Sequence, residues 1–250
     1  MMKRTPGILA FALLVLAAGG PACATDVQPA VDPAAVALLQ ACGDRLKDAR
    51  SLSFTATSLQ DVPNAEGQSI VYAERSRVDF LRPDKLRIAT IGDGPASLFL
   101  SDGATMTAYR PAEKTIATAP APASMDAVLE SEGKAIGRSV AFADALLADP
   151  AGSFTNGLTR AFIVGRSRIV GGVETDIVAF SAADADGQIW IGVRDKLPRQ
   201  LLVTYTKEPG RPRDAVAFSD WRVDHRIPHR AFRPFRTRGA TTVPFANPKS

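Results

Sequence analysis

Cysteine is almost missing from this chain, with two in 250 residues, Cys23 and Cys42. A disulfide framework is therefore excluded for any form that keeps only Cys42. Histidine is as scarce: His225 and His229 are the two present. They sit four apart beside Asp224, a spacing that puts two ligands on one helix face. Pro228 lies between them, however, and no third histidine exists to complete a metal centre. Asp184 and Asp186 lack the spaced oxygen ligands of a calcium loop. Gly92-Asp93-Gly94-Pro95 is acidic and reads as a turn, not a phosphate nest. There is no Gly-x-Ser-x-Gly elbow, no Walker loop and no His-Glu-x-x-His motif. An Asp/His pair can serve as orienter and base, but no nucleophile has a recognisable setting. The expectation is a protein without catalytic residues, metal or other cofactor.

Long apolar runs are also lacking, except at the start. Met1-Met2-Lys3-Arg4 is cationic, residues 8–18 are apolar, and small residues lead to Ala22-Cys23-Ala24. This is the pattern of a secretory leader, too short to read as a spanning helix. Cleavage after Ala24 gives a soluble exported chain in the periplasm. The rival reading makes Cys23 a lipidated N-terminus, although Gly20-Pro21-Ala22 fits that signal poorly. Removing 24 of 250 residues leaves 226, enough for one domain, 25–250, with a sizeable core. Val36, Leu39, Cys42 and Leu46 share a helical face, so Cys42 reads as a small buried hydrophobe.

Charge is balanced overall but not along the chain. Residues 25–206 hold 18 Lys/Arg and 22 Asp/Glu, whereas residues 207–250 hold 10 and 4. An exported chain has no routine access to nucleic acid, so no nucleic-acid partner is expected. The basic end suits either a solvated arginine face or contact with anionic lipid headgroups or an acidic partner.

What is abundant is period-two patterning. Asp32 caps a helix that starts at Pro33 and runs to about residue 49. Strands are expected over 52–59, 70–81, 85–91, 97–100, 105–110 and 114–118. Ser124 caps a helix from Met125. A second helix is expected over 141–148, stopped by Asp149-Pro150. Together 124–148 suit a lid over one sheet face. Strands return over 161–169, 173–181, 188–194, 199–207 and 213–223, with turns at Gly171-Gly172 and Asp184-Ala185-Asp186-Gly187. No long crossover separates them, so the sheet is antiparallel, and so many strands must curl to bury one face.

The punctuation of these strands resembles a known family. Arg82-Pro83-Asp84-Lys85-Leu86-Arg87 is similar to the Arg-Pro turn of the periplasmic outer-membrane lipoprotein carriers of the LolA/LolB-like superfamily. Ser101-Asp102-Gly103, then Tyr109-x-Pro111, is similar to that superfamily's Asp-Gly hairpin and Tyr-x-Pro. Val173-Glu174-Thr175-Asp176, Ile189-Trp190-Ile191 and Leu197-Pro198-Arg199-Gln200-Leu201 match its second half. Within the superfamily, residues 32–245 resemble an uncharacterised branch of predicted periplasmic proteins, DUF2092.

The resemblance implies a mainly β (α+β) fold, a curved antiparallel half-barrel with an N-terminal helix and a helical lid. It implies an apolar inner face that holds an acyl chain or a lipidated partner such as a lipoprotein, with Arg82 gating the lid. Phe80, Phe99, Tyr109, Phe180 and Trp190 are the candidate wall of that cavity. Trp221 is a weaker candidate. Two departures stand out. The aromatics are few, 12 Phe, 3 Tyr and 2 Trp, and the end is Arg-rich at Arg230-Ala231-Phe232-Arg233-Pro234-Phe235-Arg236. A second function class stays open, an interaction or envelope-sensor module that uses the same face for a polypeptide.

Overall fold

The computed structural model describes residues 30–64, 66–136, 140, 142–233 and 237–245. The leader, the expected cleavage site and Cys23 lie outside the described residues, as do Pro234, Phe235 and Arg236. The Asp32 carboxylate accepts a hydrogen bond from Ala34 N at 2.8 Å, and Pro33 takes the first helical turn, where no N–H is needed. Helix α1 runs Pro33–Lys47. Ala35, Leu39, Cys42 and Leu46 form its fully buried stripe. Burial pushes the Cys42 thiol well above its ordinary value, so it is an inert core group.

Six strands follow: β1 (Ser51–Pro63), β2 (Ser69–Leu81), β3 (Lys85–Gly92), β4 (Ser97–Asp102), β5 (Thr105–Arg110) and β6 (Thr115–Pro120). Helix α2 (Met125–Ile136), a short 3-10 turn (Ala143–Ala145) and helix α3 (Pro150–Thr155) interrupt the strands. Then come β7 (Arg160–Ser167), β8 (Thr175–Ser181), β9 (Ala185–Gly192), β10 (Pro198–Tyr205), β11 (Arg213–Val223) and the short β12 (Thr241–Thr242). They make one open, curved sheet in the order β12-β6-β5-β4-β3-β2-β1-β11-β10-β9-β8-β7. All named pairs are antiparallel except β12 with β6. The first strand and the last long one, β1 and β11, meet at the centre and join two meanders.

Two local expectations are corrected. The helix expected over 141–148 is only the 3-10 turn, and Pro150 opens α3 instead of stopping a helix. Proline is favoured at a helix's first position, so Asp149-Pro150 is a start signal as much as a stop. Asp186 and Gly187, expected in a turn, lie inside β9, paired with Ser181 and Phe180. The Phe180 ring packs where a Gly187 side chain would project, which is why glycine is tolerated in that strand.

One core lies on the inner face, between the sheet and α1, α2 and the segment after it. A β11 bulge shapes it. Ser53 pairs with Arg222 but Thr55 pairs with Ser219, so β11 holds one extra residue there. Asp220 absorbs the bulge in the left-handed conformation, at φ 57°. Phe218 and Trp221 can then both reach Phe54, with ring centroids 5.8 and 4.5 Å away. The Trp221 indole N–H donates to Pro198 O at 2.9 Å. Helix α1 crosses α3 closely: a Cβ added at Gly43 would lie 2.2 Å from the Ala151 Cα.

The chain after β11 crosses the other face as a strap. Ile227 and Phe232 are buried, and the strap ends with β12 on the sheet edge. Arg226, Arg230, Arg233 and Arg238 on it are exposed.

Candidate functional site

The inner face divides into two ends, and the register of the strands shows where. Along β1 the inward side chains are Leu52, Phe54, Ala56, Ser58 and Gln60. Their partners on β2 are Phe80, Val78, Ser76, Glu74 and Tyr72. On β3 the row continues as Leu86, Ile88 and Thr90, and on β4 as Ser101, Phe99 and Ser97. On β1, β2 and β3 the inward residues near the α1 end are therefore apolar and those that follow toward the β1–β2 hairpin are polar, whereas β4 places the buried Ser101 at the α1 end.

The apolar end is filled. Leu52, Phe54, Val78, Phe80, Leu86, Ile88 and Phe99 are all buried, and Phe142 closes on Phe54 edge-on at 5.8 Å. A residual apolar void of about 10 Å³ remains, bounded by Phe142, Ala145, Phe154, Ile189, Leu201 and Phe218. The polar end is open. A cavity of about 250 Å³ is lined by Ser58, Gln60, Glu74, Ser76, Thr90, Ser97, Arg110 and Glu132, with Ile88, Val140, Phe142, Gly94 and Pro95 completing it. Ser58, Gln60, Ser76 and Glu132 are buried. The Ser76 and Thr90 hydroxyls lie 2.8 Å apart and share a hydrogen bond across the strands. Phe142 borders both spaces.

The polar row continues onto β11 and β10. Gln60 pairs with Asp214, which bonds it and accepts from the Tyr205 hydroxyl at 3.2 Å. Burial raises the Asp214 carboxyl above its ordinary range, while the bonds from Tyr205 and Gln60 oppose that. Burial also pushes the Tyr205 phenol up, with the Asp214 charge adding to it.

The five expected wall residues do not come together. Phe80 and Phe99 lie on the inner face but are sealed in the core. Phe180 is half-buried over Gly187, further along the same face. Tyr109 and Trp190 belong to the opposite face and are not part of the wall. Strand alternation decides this: Tyr109 lies between inward Ala108 and Arg110, and Trp190 between Ile189 and Ile191, both in the core. None of the five borders the 250 Å³ cavity. Trp221 is instead in the aromatic cluster on Phe54.

Arg82 sits between the sheet and the cover, the segment 142–155 that follows α2 and closes on the inner face. Its guanidinium donates to Leu46 O, at the end of α1, and to Leu147 O, each at 3.3 Å. It lies 4.8 Å over the Phe80 ring. Burial holds its pKa below the ordinary value, and the Asp126 carboxylate works against that. Asp126 in turn accepts from Ala148 N at 2.8 Å, so the same carboxylate pins the cover to α2.

On the outer face, Ser53, Asp79 and His225 meet where the strap begins. Ser53 Oγ donates to Asp79 at 2.5 Å and lies 3.2 Å from His225 Nε2, while the buried His225 Nδ1 has no hydrogen-bond partner. A nucleophile relay needs the carboxylate on the histidine's far nitrogen. Here it binds the serine itself and pairs with Arg87 at 3.6 Å, so the group is a clasp. Asp224 takes the Arg50 N–H, and the His225 carbonyl takes the Ser51 hydroxyl, so the Asp224, His225 and His229 trio is not drawn together. Among the described residues no three His, Cys, Asp or Glu side chains converge as metal ligands would.

Sequence reasoning missed the polar half. A signal was present in β2, where Glu74 and Ser76 interrupt the parity shared by Tyr72, Val78 and Phe80. Polar residues on an apolar parity mark a lined space.

A family model described as predicted periplasmic protein (DUF2092) matches residues 35–246. No curated protein matches the sequence. Among solved structures, the chain is similar to an uncharacterized conserved protein from Thermus thermophilus, at 12% identity over 82% of this chain and 98% of that one, TM-score 0.46. It is similar to a LolA superfamily protein from Nitrosomonas europaea, at 11% identity over 78% and 97%, TM-score 0.35. It is also similar to the Pseudomonas aeruginosa MucA/MucB complex, at 13% identity over 84% of this chain and 64% of that chain, TM-score 0.43. Likeness at this level says nothing of ligand or partner. The chain belongs to the DUF2092 family of predicted periplasmic proteins.

Proposed function

We propose that this DUF2092 protein is a non-catalytic binding protein of the cell envelope that takes an acyl chain, or a lipidated partner, against the apolar end of its inner sheet face. The observation that carries the reading is the cover over that end. Phe142, Ala145 and Phe154 lie across Ile189, Leu201 and Phe218 with a small, mainly apolar void beneath. The ties of the cover to its surroundings include two polar ones, Arg82 to Leu147 O and Ala148 N to Asp126. Lifting it bares a continuous apolar surface, and an acyl chain then replaces the side chains that left. Each Å² removed from water contributes about 25 cal/mol, so chain and cover compete on similar terms. Arg82 is the gate in this reading, and Phe54, Phe80 and Phe99 form the surface the chain meets. A fluorescent fatty-acid probe tests it. Binding to the wild-type chain, faster in Arg82→Leu, is expected; no binding to either at saturating probe overturns it.

A second reading, in which the same face serves a polypeptide, draws on exposed apolar side chains beside the β1–β2 hairpin. Val62, Ile70 and Tyr72, on the inward parity, are 42%, 37% and 38% exposed there and enlarge a contact surface beyond any small ligand. The exposed arginines of the strap are proposed to meet anionic headgroups; co-sedimentation with anionic but not neutral vesicles is the expected result. Intact mass of the exported chain reads its anchoring. An N-terminus at Thr25 fits a soluble periplasmic form, and a diacylglyceryl adduct on Cys23 replaces it with a membrane-anchored one.

A further inference from the structure

We infer that the 250 Å³ cavity at the polar end of the inner face is a binding site for a neutral, hydroxyl-rich group of the sugar or polyol class. The inference rests on the reading of this face as a ligand site and adds what sits at its far end.

The chemistry of the lining selects the class. Buried Ser58 and Ser76 and the half-buried Thr90 and Ser97 each both give and take a hydrogen bond. Glu74 and Glu132 take only, and Arg110 gives only. A ligand hydroxyl also does both, so it fits every one of these positions. An alkyl chain returns no hydrogen bond, so each polar group it desolvates is left unpaired. An anion meets two carboxylates against one guanidinium. An extended peptide needs a free strand edge for its main chain, and the cavity has none to offer, because β1, β2, β3 and β4 are each paired on both sides. Ile88 and Phe142 supply the apolar patch that the C–H face of a sugar ring covers.

Phe142 ties this site to the apolar end, since it borders both spaces. A ligand with an alkyl chain and a hydroxylated head would place one part on each side of that ring.

Gly94 makes the test clean. It lies at the cavity, and a Cβ added there would meet only the Glu74 carboxylate, at an ordinary 3.6 Å. Gly94→Leu therefore has room at its Cβ and adds apolar bulk to the cavity lining. Calorimetric titration of the mature chain is run below the micelle concentration with dodecyl maltoside, dodecyl sulfate and dodecyltrimethylammonium, alongside dodecanoate, free maltose and an unstructured peptide. The expected result is dodecyl maltoside at least about tenfold tighter than the two charged-head detergents, with the preference lost in Gly94→Leu while dodecanoate still binds. Equal binding of the three heads, a charged head preferred, or peptide binding that Gly94→Leu abolishes overturns the inference and leaves the acyl-chain reading standing. No alkyl binding, with maltose bound and lost in Gly94→Leu, removes the acyl-chain reading and keeps this one. No binding of any probe removes both.

Discussion

The two ends of one sheet face are made by the same strands and do opposite things. On β1, Phe54 lies among rings at 4.5–5.8 Å, whereas Ser58, four residues on, borders an open space of about 250 Å³. Both lie on the same parity and in the same ladder with β2. The difference is therefore not one of backbone but of side-chain size and polarity. Large rings interdigitate and leave a void of about 10 Å³. Small hydroxyl residues leave the space above them open, and Ser76 is satisfied there by the hydrogen bond it shares with Thr90. The closed end is packed as core, and the open end is where we propose recognition.

Breaking the closed end gives the largest effect. Phe54→Ala removes the ring on which Phe142, Phe218 and Trp221 pack and should cost about 3–5 kcal/mol in denaturant unfolding. Ser58→Ala, four residues away on the same strand, should cost under about 1.5 kcal/mol. Equal losses at the two positions contradict the division. Next in size is Gly43→Ala, which forces α1 off the Ala151 backbone and should cost about 1–3 kcal/mol by the same measurement. Arg82→Leu comes third. Losing two hydrogen bonds of 3.3 Å should raise amide exchange over 142–149 by about tenfold while sheet exchange stays fixed. An unchanged cover returns Arg82 to the role of a turn residue.

The smallest effect is that of pH on the polar end. The folded Asp214 carboxyl sits above its unfolded value. Its protonated form is therefore favoured by folding, and that stability is present below the unfolded carboxyl range and lost as pH rises through the raised folded value. Asp214→Asn should flatten this part of the stability profile without changing the loss at the closed end. A profile with the same slope in Asp214→Asn assigns the dependence elsewhere.

Much of the scaffold was legible in the sequence. Asp32-Pro33 marked the start of α1, and alternation located β2, β3, β5 and β11 to within a residue or so, because half-buried strands must alternate. The fate of 142–155 was not legible, since Pro150 is compatible with ending one helix or opening the next. The Arg82 contact with Leu147 was anticipated from the resemblance alone; no spacing in the sequence connects those residues. The wall was misread at Tyr109 and Trp190 for a definite reason. Ile189 and Ile191 flank Trp190 and make both faces look apolar, so parity could not choose the side that α1 and the cover occupy. The strap was invisible too. Its buried anchors, Ile227 and Phe232, stand among arginines with no period, and only the fold shows that they dock on the outer face.

Native mass spectrometry of protein released gently from the periplasm tests the central claim most directly. The account predicts a bound small-molecule mass that organic extraction removes, and an extracted chain that takes up dodecanoate. A clean unbound mass before extraction, together with no uptake afterwards, contradicts it.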